Sequence, residues 1–149
     1  TKAILCENSE GGVAITVVEE RTVKTPAGLL RVTLASELAR MKEANPDKTF
    51  TIVDAEKVAK KYAESPFRSA WKTDLTTDIS KAKEMVHKQR KAKRAEQFAP
   101  LDVEATIPAL AEVAESKRQA IREANATIQN SIKSASTEAE LVVELGKVT

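Results

Sequence analysis

The first sixty residues alternate between short apolar runs and polar breaks, a pattern typical of strands and helices in mixed order. Two apolar, β-branched runs, Ala3–Cys6 and Val13–Val18, flank a polar stretch that contains two adjacent glycines. Two such runs joined by a glycine-containing loop predict a β-hairpin. The polar, proline-containing stretch over residues 19–28 is predicted to be a loop.

Helical spacing follows this loop. Apolar residues recur every three or four positions within residues 29–45, which predicts a helix that the following proline ends. A short β-type run over residues 49–53 comes next, and Asp54 is placed to cap a helix over residues 55–63. The order of hairpin, helix, strand and helix predicts a small sheet covered by helices.

The second half of the chain has helical periodicity almost throughout. The patterns predict a helix over residues 78–98, which Pro100 kinks or ends, and a second helix over 109–124 whose apolar stripe continues to Ala135. A Thr-Glu-Ala-Glu capping box begins a last short helix over residues 138–145.

These elements predict an α+β fold. A small N-terminal β-hairpin/sheet module with helices is followed by a long helical hairpin and a short C-terminal helix. The expected boundaries are an α+β module over residues 1–65, an aromatic linker over 66–76 and a helical arm over 77–149. The aromatic content is only 3%, so the core is expected to be aliphatic and poor in deep ligand pockets.

Charge is nearly balanced overall but unevenly distributed. The net charge is +2, yet residues 81–94, here called the basic run, hold seven cations and one acid. Residues 95–149 hold five cations and nine acids. The basic run is therefore either a face for phosphate or an acidic partner, or a solvated face that pairs with the acids after it. We predict that one flank meets Glu104, Glu112 and Glu115 of the next helix, folded back antiparallel, and that the other flank faces solvent or an acidic partner.

Six residues are candidates for binding a partner. Phe67 and Trp71 are four positions apart, so a helical turn would stack them beside Arg68. Either both rings fasten the N-terminal module to the helical half, or they form an exposed anchor of the kind in which Trp and Arg are frequent. The other three candidates are the cations of the basic run predicted to face solvent or an acidic partner: Lys88, Lys91 and Arg94.

Catalytic chemistry has little support in the sequence. His87 and Cys6 are the only histidine and cysteine, so Cys/His ligation of zinc within one chain is excluded. The cations around His87 are expected to lower its pKa and to repel a metal ion. Phosphate-binding glycine motifs are absent from the sequence. We therefore expect no enzyme, no catalytic residue, no cofactor and no metal.

Membrane insertion is not expected either. The sequence lacks an apolar run of the roughly 18 residues that a spanning helix needs. The apolar run near its start is interrupted by Glu7 and Glu10, which is not a signal-peptide pattern.

Several segments resemble a family of small phage and prophage proteins encoded beside tail-fibre genes. They are ENSEGGVAI, TIVDA, PFRSAW, the basic helix that runs into Leu101-Asp102, EVAESKRQAIRE and STEAEL. The resemblance covers most of the chain and rests on the order and spacing of these segments. Pro100 and Pro108 depart from the family pattern, in which this helix is uninterrupted.

The resemblance implies a non-enzymatic tail protein without cofactors. Such a protein would bind a tail fibre or another tail component, as a small virion part or an assembly helper, and self-association is a further option. Its expected location is the virion tail, or the host cytoplasm during assembly. The alternative is a nucleic-acid-binding module that uses the basic run. Nucleic acid is the less favoured partner, because no aromatic residue lies inside the run for base stacking.

Overall fold

A computed structural model describes residues 1–149, which divide after Asp78 into two units. The first unit contains β1 (Lys2–Glu7), β2 (Val13–Val18), β3 (Arg21–Thr25), β4 (Gly28–Val32), α1 (Leu34–Ala44), β5 (Phe50–Asp54), α2 (Ala55–Glu64) and a 3-10 turn (Arg68–Ala70). The second unit contains α3 (Ile79–Glu104), α4 (Ala111–Ser134) and α5 (Glu138–Lys147). The predicted α+β class is confirmed.

The main sheet of the first unit has the strand order β2-β1-β5, with both neighbours antiparallel to β1. Because β1 is central, its four inner residues, Ala3–Cys6, are all buried. Ala3, Leu5 and Val13 form an apolar cluster with Val58 of α2. The apolar runs at the start of the chain thus become strands because their side chains fill this core.

A second, two-stranded sheet corrects the prediction for residues 19–45. β3 and β4 pair antiparallel, with Val23 opposite Leu30, where a loop and the first turn of a helix were predicted. Helix α1 begins only at Leu34, because Thr33 caps it. The Ser36 N–H donates to Thr33 Oγ1 at 3.1 Å, and the Thr33 N–H donates to Ser36 Oγ at 2.8 Å.

The second unit contains the predicted helical hairpin. Lys83 Nζ donates to the Lys133 carbonyl at 2.9 Å, and near the other end Arg118 pairs with Asp102 at 3.1 Å. Residue numbers rise along α3 as they fall along α4, so the two helices are antiparallel. Helix α5 packs on both of them. The side chains buried in this unit include Ala82, Val86, Ala114, Ile132 and Leu141.

Helix α3 is longer than predicted. It continues through Pro100 to Glu104, although a proline interrupts one backbone hydrogen bond and strains the preceding turn. Leu101 is buried directly after the proline, and its carbonyl accepts from the Ala105 N–H at 2.9 Å. Packing beyond the proline thus outweighs the lost bond, and Pro108 lies in the connection to α4.

Helix α5 begins where the capping box predicts. Thr137 Oγ1 accepts from the Glu140 N–H at 3.3 Å, and the Glu140 carboxylate accepts from the Ser136 N–H at 3.1 Å. The helix runs through Gly146 to Lys147, two residues beyond its predicted end. None of the helices combines the length and the apolar character needed to span a membrane.

Candidate partner-binding site

The two aromatic candidates are internal to the fold. Phe67 is 0% exposed and Trp71 is 2% exposed. Trp71 Nε1 donates to Ser65 Oγ at 2.9 Å, and the Tyr62 ring meets the indole edge-on with centroids 4.8 Å apart. The interpretation of the two rings as an exposed anchor is therefore wrong, because their surfaces are already covered.

Arg68 is also engaged within the first unit. Its Nε donates to Tyr62 Oη at 3.0 Å, and its Nη2 donates to the Val13 carbonyl. The guanidinium carbon lies 5.0 Å from the centroid of the Trp71 ring. A 3-10 turn over Arg68–Ala70, rather than an α-helical turn, brings these groups together. Arg68 thus stabilises the aromatic cluster and keeps only part of its surface for a partner.

The acids of α4 do not neutralise the basic run as predicted. Glu115 pairs with Arg118 at 3.1 Å and with Arg122 at 2.8 Å, both on its own helix. Arg122 and Arg118 lower the pKa of the Glu115 carboxyl below its ordinary value. Partners one or two turns away on the same helix are closer than a neighbouring helix, so the predicted pairing is wrong for Glu115. Glu104 was predicted to lie on the next helix but is the last residue of α3, and no ion pair joins Glu104 or Glu112 to the run.

The centre of the basic run is a buried arginine. Arg90 is only 4% exposed and has no carboxylate partner. Its Nη1 donates to Asn125 Oδ1 at 3.1 Å, and its Nε donates to His87 Nδ1 at 3.3 Å. Burial, and then the charge of Arg94, lower the pKa of the Arg90 guanidinium from its ordinary value. The guanidinium is thus hydrogen-bonded but its charge is not neutralised.

His87 is arranged to accept that hydrogen bond. Its Nδ1 faces the donor Arg90 Nε, so the neutral imidazole carries its proton on Nε2. Burial lowers the pKa of His87, and the charges of Arg90, Lys133, Lys91 and Lys83 lower it further. The prediction that neighbouring cations depress this pKa is confirmed, and burial is the largest single cause.

Two grooves flank Arg90, and its side chain lines both. The Arg94 groove, of about 250 Å³, lies among α3, α4 and the end of α5. It is lined by Arg90, Lys93, Arg94, Gln97, Ala120, Ile121, Ala124, Asn125, Ile128, Lys147 and Val148. The Lys91 groove, of about 460 Å³, is lined by Glu84, His87, Lys88, Arg90, Lys91, Gln129 and Lys133.

The grooves separate the three predicted cations. Lys88 and Lys91 line the Lys91 groove, whereas Arg94 lines the Arg94 groove. None of the three is in an ion pair with a carboxylate. Sequence reasoning missed the special position of Arg90, although its position four residues after the buried Val86 places it on the buried face of α3. Lys147 was missed because only folding brings α5 beside α3.

Metal binding has no support in the geometry, because no group of three or more His, Cys, Asp or Glu side chains is placed to hold an ion. Cys6 is a buried, unpaired thiol in β1. Comparison of the chain with protein-family models, with curated proteins and with solved structures gives no match.

Proposed function

We propose that this protein is a non-enzymatic phage tail protein that binds a tail fibre or another tail component. It acts there as a small virion part or as an assembly helper, in the tail or in the host cytoplasm during assembly. The resemblance of its segments to tail-region proteins supplies the class of partner. Self-association is a second way in which the same surface can be used.

The observation that carries the proposal is the cationic surface that Lys88, Lys91 and Arg94 form on α3. Lys88 and Lys91 are exposed, and neither they nor Arg94 has a carboxylate partner. Of the acids that were expected to neutralise the run, Glu115 pairs within α4 instead, and Glu104 and Glu112 form no ion pair with the run. An unneutralised charged face favours attraction to a partner of opposite charge and speeds its association. Docking also suits Lys88, Lys91 and Arg94, because these side chains supply positive charge for binding rather than a catalytic group.

The test is co-purification of the tagged full-length protein from phage-producing cells, together with its detection in purified virions. We expect a tail protein in the captured complex. The triple reversal Lys88→Glu, Lys91→Glu and Arg94→Glu should weaken capture in a salt-dependent way. A matched control reverses Lys24, Lys42 and Lys48, which are exposed in the first unit. Absence from virions, combined with no tail protein in the complex, would contradict the proposal.

Nucleic-acid binding is the second candidate function. The observation that favours it is the Lys91 groove, where Lys88, Arg90, Lys91 and Lys133 face a single acid, Glu84. Several phosphate contacts would make the affinity fall steeply with salt. Filter binding at low salt tests it directly, and failure to retain either DNA or RNA would remove this candidate.

A further inference from the structure

Arg90 has hydrogen-bonding capacity that the fold leaves unused. A guanidinium carries five N–H donors, and the contacts to Asn125 and His87 use Nε and one N–H of Nη1. Burying a charge is costly unless an opposite charge accompanies it. Because Arg90 lines two grooves, its remaining donors can be reached by an anionic group that enters from outside.

The Arg94 groove combines this arginine with two other kinds of surface. Its cations are Arg90, Lys93, Arg94 and Lys147, and no acid lines it. Lys147 is already paired with Glu144 at 2.9 Å, so three of the four cations are available. Ile121, Ile128 and Val148 contribute apolar walls. The groove is therefore positively charged and apolar at the same time.

We propose that the Arg94 groove binds an acidic segment of a partner protein, in which a carboxylate lies next to an apolar side chain. The carboxylate bonds to the guanidinium of Arg90 and to Arg94, and the apolar side chain packs against Ile121 and Ile128. Arginine suits this role because its planar fork matches the two oxygens of a carboxylate.

A protein segment fits this groove better than a nucleic acid does. The apolar walls would face sugar and phosphate at a cost, because buried polar groups need partners. No aromatic side chain lines the groove, so it offers no platform on which a base can stack. A volume of about 250 Å³ accommodates one or two side chains rather than a run of nucleotides. The Lys91 groove has the same sign of charge, but no Ile, Leu or Val side chain lines it.

This inference deepens the proposed docking function. It takes from that proposal only that the partner is a protein. A synthetic probe separates the two proposals, because no phage component is needed. The probe is a fluorescent peptide of alternating Leu and Glu, and its binding to the full-length protein is followed by anisotropy. Two matched peptides replace every Glu by Gln or every Leu by Ser. A short oligothymidylate tests the nucleic-acid alternative.

We expect the Leu/Glu peptide to bind at least about tenfold more tightly than either matched peptide, since a charge-assisted hydrogen bond and a buried aliphatic side chain each suffice for such a factor. The double variant Lys93→Gln/Arg94→Gln should lose at least about tenfold in affinity. The control double variant Lys42→Gln/Lys48→Gln removes the same charge from exposed positions of the first unit and should change the affinity by less than about threefold. Circular dichroism checks that both variants fold.

Several results would overturn the inference. They are equal losses in the two double variants, tighter binding of the oligothymidylate than of the peptide, or no binding of the peptide. Self-association that disappears in the Lys93→Gln/Arg94→Gln variant, without peptide binding, would also overturn it and would assign the groove to a second copy of the chain. Capture of a tail protein together with any of these results would leave the proposed function standing and place the docking surface elsewhere.

Discussion

Arg90 of α3 and Asn125 of α4 are hydrogen-bonded to each other inside the helical hairpin, at 3.1 Å between Nη1 and Oδ1. Both side chains are buried, at 4% and 9% exposed. The amide oxygen supplies an acceptor without neutralising the guanidinium. This keeps the arginine's positive charge available while fixing its position between the two grooves.

Replacing that amide should destabilise the second unit. In Asn125→Ala the Arg90 guanidinium loses its acceptor within a buried site, and we expect the free energy of unfolding to fall by about 1–3 kcal/mol. Asn130→Ala, on the exposed side of the same helix, is the matched control and should change it by less than about 0.5 kcal/mol. Urea unfolding followed by circular dichroism measures both variants. Equal effects of the two substitutions would show that the buried hydrogen bond contributes nothing.

Trp71→Ala should be among the most damaging single changes in the first unit. The indole is buried and donates to Ser65, so its removal leaves a large cavity. We expect a loss of about 3–5 kcal/mol in the free energy of unfolding. Leu29→Ala serves as the control, because Leu29 is 78% exposed and should contribute less than about 0.5 kcal/mol. Thermal unfolding of the two variants is the measurement. A Trp71→Ala melting curve that matches that of Leu29→Ala would contradict the burial of the ring.

Pro100→Ala is expected to stabilise helix α3. The substitution restores a backbone N–H inside a continuous helix and removes the clash of the proline ring with the preceding turn, for a gain of about 1–3 kcal/mol. Pro108→Ala is the matched control, since Pro108 lies in the connection between helices and no helical bond is restored there. Denaturant midpoints of the two variants give the comparison. A gain of the same size in both would mean that the position inside the helix is irrelevant.

His87 should make stability depend on pH in the mildly acidic range. Its pKa in the folded chain lies below the ordinary value of 6.5, because burial and nearby cations oppose the charged form. The unfolded chain therefore binds the proton first as the pH falls. The contribution of His87 to the free energy of unfolding is therefore largest above its pKa in the unfolded chain. This contribution decreases as the pH falls below that value, and it stops changing once the pH is below the pKa of His87 in the folded chain.

His87→Gln should remove this slope. Since His87 is the only histidine, few other side chains titrate just below pH 6.5. Urea midpoints of the wild type and the variant across this range provide the measurement. Parallel pH profiles for the two proteins would rule out the histidine as the source of the dependence.

Elements with strong local signals were predictable. β1 and β2 follow from their β-branched runs, and α5 follows from the cap at Thr137. The hairpin of β3 and β4 was missed because the four-residue spacing from Leu30 to Leu34 imitates a helix. Leu30 instead pairs across the hairpin with Val23, and Thr33 begins the helix. Pairing between the adjacent strands β3 and β4 overrode the helical periodicity.

The candidate site was predictable in composition and not in arrangement. The density of cations in residues 81–94 identified the charged surface, whereas the partition of that surface into two grooves depends on α4 and α5. The burial of Arg90 depends on Asn125, thirty-five positions away along the chain. The pairing of Glu115 was misjudged because Arg118 and Arg122 compete for it on the same helix face. Which of several cations pairs with Glu115 depends on the distances between side chains, and these are known only from the structure.

The position of Trp71 gives the chain a convenient optical property. It is the only tryptophan, and Tyr62, the only tyrosine, lies against it in the first unit. In the second unit Phe98 is the only Phe, Trp or Tyr residue. This unit consists of the helices α3, α4 and α5, which together contain most of the helical residues of the chain. Intrinsic fluorescence therefore reports on residues 1–78, while helical ellipticity is dominated by residues 79–149. Non-coincident transitions of the two signals would reveal unfolding in more than one step without any added label.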